Sequence, residues 1–330
     1  MRCSLTRLTI AAMTYLVRVV PALALAACAS KTDGIVPYAD YHVHILGPYA
    51  APAERYAQPI PAERLIADLD KARIRHALVL SEAFWIGGAG GGQVKRLAPA
   101  KDQPTAVQLE NDWTAQQVAR YPGRLLMACG INPLDVWAVA ELERCSRMPV
   151  VRAMKLNVGE GGDNIDLHDS SQVRVLRDFF AAANARRMPI VIHLGSRGGF
   201  ARPEVRTFLE EIVSAAPDIP IQIAHMSSGF QSPDALAEFA DARARNDPLA
   251  RNLYFDLSVG RFKDLDPAVG RSIADAIRKI GLEHVLYASD EQPGDQHIPT
   301  AVHWKEIGQE LPLTSEELRA IADNVAPYMR

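Results

Sequence analysis

The 330-residue chain is 48% hydrophobic and 23% charged, with a formal charge of −3. That composition supports a sizeable core and excludes global disorder, and the length accommodates one large α/β barrel as readily as two small domains. The mild acidity excludes nucleic acid as the main partner.

Residues 1–27 stand apart from the fold. Arg2 and Arg7 make a basic start, and 19–27 is an apolar run ending in small residues. The run is shorter than the roughly 20 residues of a membrane span, and Arg18 interrupts its upstream extension. Leu25-Ala26-Ala27-Cys28 resembles the bacterial lipobox. The resemblance implies a signal peptide over 1–27, cleavage before Cys28 and a lipid on its thiol. An ordinary secretory signal with an incidental cysteine is the simpler alternative. Three arginines and no acid leave with the signal, so the mature charge moves from −3 to −6. Residues 28–37 then read as a tether, and the expected address is the periplasm, with the membrane reached through the lipid alone. Ala29 and Ser30 lack an acidic retention signal, which points to the outer membrane.

From Val36 onward, short β-branched apolar runs alternate with amphipathic stretches. The spacing predicts strands over 38–45, 76–81, 125–131, 150–156, 190–194, 221–225, 253–257 and 285–289. Helices are expected over 62–73, 106–120, 136–145, 171–185, 203–215, 234–246, 267–280, 300–308 and 315–324. The last should begin with a capping arrangement at Thr314 or Ser315 followed by acids. Eight strand–helix units without a composition break predict one (β/α)8 TIM barrel over 38–330. The glycine-rich segment 87–92 follows the second strand and lacks the Lys-Ser/Thr ending of a phosphate loop, so a lid or spacer is expected there. Cys129 and Cys145 fall near a strand end and late in the next helix. Those points sit at opposite ends of a βα unit, which predicts two buried thiols and no disulfide.

The informative residues fall at strand ends, where a barrel of this type places its chemistry. Asp40, His42 and His44 are spaced by two, so a strand points all three the same way. His193 ends the run at 189–192, His225 ends 221–224, and Asp290 follows 285–289. Any one of these could be a packing histidine or a capping aspartate. Independent packing residues, however, have no reason to recur in one position of strands 1, 5, 6 and 8, so together they predict a metal site.

That order resembles the amidohydrolase superfamily. Tyr121-Pro122-Gly123-Arg124, Met154-Lys155-Leu156, Met188 through His193, Ala288-Ser289-Asp290 and Asp323-Asn324-Val325 resemble its amidohydrolase-related branch of lactonases, hydratases and aminocarboxymuconate-semialdehyde decarboxylases. The resemblance implies a divalent metal held by His42, His44, His193 and Asp290, with Zn2+ the expected ion and one ion favoured over two. It casts Asp290 also as proton acceptor beside a metal-activated water, and His225 as a further ligand or as the group polarising the substrate. Asp40 is expected to orient a histidine from behind. Lys155 could bridge two metals as a carboxylated lysine, face a substrate carboxylate, or form a structural ion pair. Arg197 could clamp a carboxylate or lie in solvent. Glu82, Trp85, Asn157, Ser227 and Asp256 are further pocket candidates, while His76, His168, His284, His297 and His303 read as surface or packing residues.

The implied activity is hydrolysis of an ester, lactone or amide in a small, carboxylated substrate. Two alternatives stay open: a metal-dependent decarboxylase or lyase, and a non-catalytic ligand-binding lipoprotein. The sequence is silent on substrate identity and leaves a homo-oligomer open.

Overall fold

A computed structural model describes residues 31–53, 56–86, 102–159, 165–196, 199–228, 232–259, 262–291 and 299–330. Among them eight parallel strands form one sheet in sequence order: β1 (Ala39–Ile45), β2 (His76–Ser81), β3 (Leu125–Ile131), β4 (Val151–Asn157), β5 (Ile190–His193), β6 (Ile221–Ile223), β7 (Leu253–Asp256) and β8 (Val285–Leu286). The last strand returns to the first. Tyr41 donates its N–H to Tyr287 O at 3.0 Å, Asp290 donates to His42 O at 2.8 Å, and Val43 bridges Glu291 in parallel. The expected TIM barrel is therefore present.

Alternation along the strands sorts side chains into two cores. The outer one joins Val79, Met127, Met154, Ile192, Ile223 and Phe255 to the helices, through residues such as Leu65, Val107 and Ile277. The inner one holds Leu78, Leu80, Ala128, Ala153, Val191 and Ala288. Small or medium side chains fill the barrel interior because eight inward rows converge on one axis.

The helices follow local chemistry. Helix Pro267–Ile280 starts where Asp266 accepts from Ala268 N at 2.7 Å, buries Ile273, Ile277 and Ile280 along one stripe, and ends at Gly281 with φ +94. Helix Ser315–Ala322 carries the expected capping box, Thr314 with Glu317. The single helix expected over 203–215 is instead Arg202–Thr207 running into a wider turn, Phe208–Ile212, and a tight one, Val213–Ala215. Within the segment read as a tether, Thr32 and Ile35 are buried, and Trp304 donates to Ile35 O at 3.0 Å.

Cys129 and Cys145 form a disulfide with Cα atoms 6.3 Å apart, which corrects the expectation of two thiols. The helix that follows β3, Ala138–Cys145, has only 8 residues and descends about 12 Å from the rim. It therefore ends level with the middle of β3, where the outward-facing Cys129 sits, and never reaches the far end of the barrel.

The barrel floor is closed by the C-terminus. Tyr328 packs edge-on to Tyr41 with centroids 6.4 Å apart and donates its hydroxyl hydrogen to Gln222 Oε1.

Candidate metal centre

β1 is not regular. Its register against β2 shifts between Asp40 and Val43. Ala39 and Tyr41 belong to the inner core, whereas Val43 and Ile45 belong to the outer one. This is a β-bulge, and its extra residue lets Tyr41 and His42 both face the interior. His44 follows on the same face. Asp40 is left pointing outward, where it accepts from Ser289 N at 3.0 Å, Ser289 Oγ at 2.6 Å and Thr300 Oγ1 at 3.1 Å. The expectation that Asp40 orients an imidazole is thereby corrected: two-residue spacing aligns side chains only where the pleat is unbroken. Asp40 touches His42 only at the backbone N, 3.3 Å away.

The two imidazoles of β1 converge. His42 Nε2 and His44 Nε2 lie 3.2 and 3.1 Å from the same oxygen, Asp290 Oδ1. Each ring is held from behind. His42 Nδ1 lies 3.1 Å from Asp256 Oδ2, at the end of β7. His44 Nδ1 lies 2.5 Å from Glu82 Oε1 and 3.0 Å from Leu80 O. His225, just past β6, has Nδ1 2.5 Å from Ser258 O and 4.0 Å from Asp290 Oδ2. The ligand-capable atoms of His42, His225 and Asp290 lie within 4.8 Å of one another. His193, at the end of β5, is adjacent to that group, its ring centroid 4.5 Å from that of His225. Lys155 from β4 is 2% exposed, and its Nζ lies 3.3 Å from His42 Nε2 and 5.6 Å from the Phe84 ring centroid.

The backbone is strained where the site is made. His225, Met226, Ser227 and Asp290 have φ of 56, 48, 61 and 57. Left-handed geometry costs a non-glycine residue about 1–2 kcal/mol. Hydrogen bonds hold it in place: His225 N donates to Asp256 Oδ1 at 2.8 Å, and Asp290 N is tied to His42 O.

Electrostatics separates the two β1 rings. Burial, with Lys155 nearby, holds His42 down to about 3 against the pull of Asp290 and Asp256. Burial also opposes a charge on His44, but Glu82 and Asp290 outweigh it and push that ring up to about 10. His193 is held well below the usual imidazole range by burial, then by His225 and Lys155. Burial works against the Asp290 carboxylate, yet His42, His225 and His44 keep it well below the usual carboxylate range. The geometry of the donor set fits a divalent cation, whose binding would displace the proton that Glu82 and Asp290 favour on His44. An ionised carboxylate and two converging imidazoles face one point, and the imidazoles' rear nitrogens are occupied by carboxylates, which fixes their orientation.

Of the residues singled out from the sequence, His42, His44, Lys155, His193, His225 and Asp290 come together at one end of the barrel. Glu82 and Asp256, expected only as pocket candidates, stand directly behind the β1 histidines. Gln222 and Ser258 escaped attention. Gln222 is the one polar residue between Ile221 and Ile223, and it donates Nε2–H to Asp256 Oδ2 at 2.5 Å. A lone amide on the inward face of a buried strand was the signal available for it. Arg197, Cys28, His297 and the glycine-rich segment 87–92 lie outside the described residues. His76 stacks on Tyr38, His168 pairs with Glu204, His284 bonds Leu253 O, and His303 packs on Phe262.

Comparisons with known proteins agree with this architecture. No curated protein matches the chain in sequence. Among solved structures, the apo IDCase of Metarhizium anisopliae is similar with a TM-score of 0.58 at 14% identity, over 89% of this chain and 96% of that one. A probable 2-pyrone-4,6-dicarboxylic acid hydrolase of Acinetobacter baumannii, with citric acid bound, gives 0.57 at 13% identity over 87% and 97%. A dihydroxybenzoic acid decarboxylase of Polaromonas sp. JS666, with bound manganese and the inhibitor 2-nitroresorcinol, gives 0.56 at 15% identity over 87% and 95%. At such identities the likeness is one of fold. The amidohydrolase family model matches residues 39–324, nearly the whole barrel. The chain belongs to the amidohydrolase family.

Proposed function

We propose that this chain is a metal-dependent hydrolase of a small carboxylated ester, lactone or amide. The observation that carries the reading is the convergence of His42 Nε2 and His44 Nε2 on Asp290 Oδ1. His42, His44 and Asp290 would hold one divalent cation, with His193 completing the set from β5. Bound there, the cation supplies Lewis acidity toward water and a substrate carbonyl. Asp290, kept ionised by the surrounding imidazoles, would take a proton from water as its oxygen adds to the carbonyl carbon, and would return it to the leaving oxygen or nitrogen as that bond to carbon breaks. His225 gives its Nδ1–H to Ser258 O, which leaves Nε2 to face the substrate. Lys155, beside the Phe84 ring, receives a substrate carboxylate at Nζ, and Arg197 serves the same end. Zn2+ is the ion expected from the sequence, and manganese is the ion in the Polaromonas structure.

Decarboxylation is the second reading. It is favoured by a buried lysine next to the imidazole cluster and by the named activity of the Polaromonas structure. Elemental analysis, chelation and metal restoration come first, followed by substrate panels read for both released acid and released CO2. Activity that survives complete metal removal would overturn both readings.

The chain also works outside the cytoplasm, as a periplasmic lipoprotein held by lipid on Cys28. The Cys129–Cys145 disulfide supports an oxidising compartment. Fatty-acid labelling that persists in Cys28→Ala would overturn the anchor.

A further inference from the structure

We infer that Glu82 is a positioning residue for the metal centre: it accepts the Nδ1 hydrogen of His44 and thereby aims His44 Nε2 at the cation. The inference rests on the metal reading given above. Glu82 is 2% exposed, and its Oε1 lies 2.5 Å from His44 Nδ1. Its other oxygen is buried and makes no hydrogen bond among the described residues. A carboxylate in such a place costs free energy unless something fixes it. No arginine or lysine pairs with it in the described residues, and helix capping does not employ it. Its one hydrogen-bonding partner there is the imidazole, so the fold itself has no use for the charge. Leu80 O, 3.0 Å from the same nitrogen, can share the hydrogen but carries no charge.

The backbone around Glu82 is built to place it. β2 ends at Ser81, in register with Ile45, so the next residue emerges beside His44. Ser81 Oγ then accepts from Ala83 N at 3.4 Å and opens the tight turn Glu82–Trp85. That turn lies flat on β3 because residue 130 is glycine: a Cβ there would stand 2.3 Å from Ser81 O and 3.0 Å from Ala83 N. Gly130 is itself pinned by Asn111, which accepts its N–H and donates to its carbonyl, both at 3.0 Å. Two strands and a helix thus fix one carboxylate against one imidazole. Asp256 does the same for His42 from the other side of the barrel. Each β1 histidine has its own rear carboxylate.

The test is Mn2+ affinity, measured by competition against a chelating dye on purified wild type, Glu82→Ala, Glu82→Gln and His44→Ala, each checked by circular dichroism. Loss of a rear partner of this kind weakens metal binding about 10- to 100-fold. Glu82→Ala is expected in that range. Glu82→Gln keeps an acceptor oxygen of the same reach, so it is expected within about threefold of wild type, a rescue that loss of packing alone would not produce. Wild-type affinity in Glu82→Ala, or equal losses in Ala and Gln, would overturn the inference. Wild-type affinity in His44→Ala would instead overturn the metal reading on which it rests. Should Glu82→Ala not fold, the Gln variant decides: tenfold or greater loss overturns, near wild-type affinity supports.

Discussion

Asp256→Asn changes one atom type and no volume, yet it should disable the site. Five donors meet this buried carboxylate. Oδ1 accepts from His225 N at 2.8 Å, Ser258 N at 3.3 Å and Ser258 Oγ, while Oδ2 faces Gln222 Nε2 at 2.5 Å and His42 Nδ1 at 3.1 Å. An asparagine keeps one acceptor oxygen and must aim its NH2 at donors on the other side. The Oδ1 side has three donors, so the amide group turns toward His42 and Gln222. Gln222 can rotate its own amide only by giving up its bond to Tyr41 O, and His42 must accept at Nδ1 and carry its hydrogen on Nε2. That places N–H where the cation needs a lone pair. A lost charge-assisted hydrogen bond is worth about 1.5–3 kcal/mol of stability, and the wrong tautomer about 10- to 100-fold in metal affinity. Urea unfolding of the metal-free protein reads the first quantity, and Mn2+ titration the second. A variant that binds Mn2+ like wild type would refute the reasoning, whatever its stability.

Three further predictions follow from the fold. Glu110 accepts from Gly47 N at 2.6 Å, Tyr49 N at 3.0 Å and Ala50 N at 3.3 Å, pinning the loop after β1. Burial holds its carboxyl above the usual range despite those bonds. A raised acid binds more protons folded than unfolded, so its contribution to stability falls as pH rises from about 4.3 through its folded value. Glu110→Gln should flatten that part of the urea-stability profile, and an unchanged slope would contradict the account. The disulfide closes a separation of 16 residues, so Cys145→Ala should cost about 3 kcal/mol. In a denatured, non-reduced chain that begins after Cys28, two titrating thiols would exclude the bond. Tyr328→Phe removes the hydroxyl that donates to Gln222, a loss of about 1 kcal/mol that denaturant midpoints would register. Unchanged midpoints would refute a role for this contact.

Much of the molecule was legible in the chain alone. The alternation of β-branched apolar runs with amphipathic stretches predicted all eight strands within a few residues. The recurrence of His42, His193, His225 and Asp290 at strand ends pointed to one face of the barrel, because parallel strands share a direction. Local capping was equally readable, as Thr314 and Glu317 show. What escaped was whatever depends on a break in periodicity or on a partner far along the chain. The bulge in β1 leaves no mark in residue spacing, and it alone turns Asp40 outward while His42 turns in. The disulfide depended on where the short helix Ala138–Cys145 ends against the barrel wall, level with Cys129, which residue spacing alone does not give. The carboxylates behind the histidines lie 38 and 214 residues away from them in sequence, Glu82 from His44 and Asp256 from His42. Residue types in sequence determine which groups can hold a metal. Only closure of the barrel decides which carboxylate stands behind which imidazole, because hydrogen bonds are made across space and not along the chain.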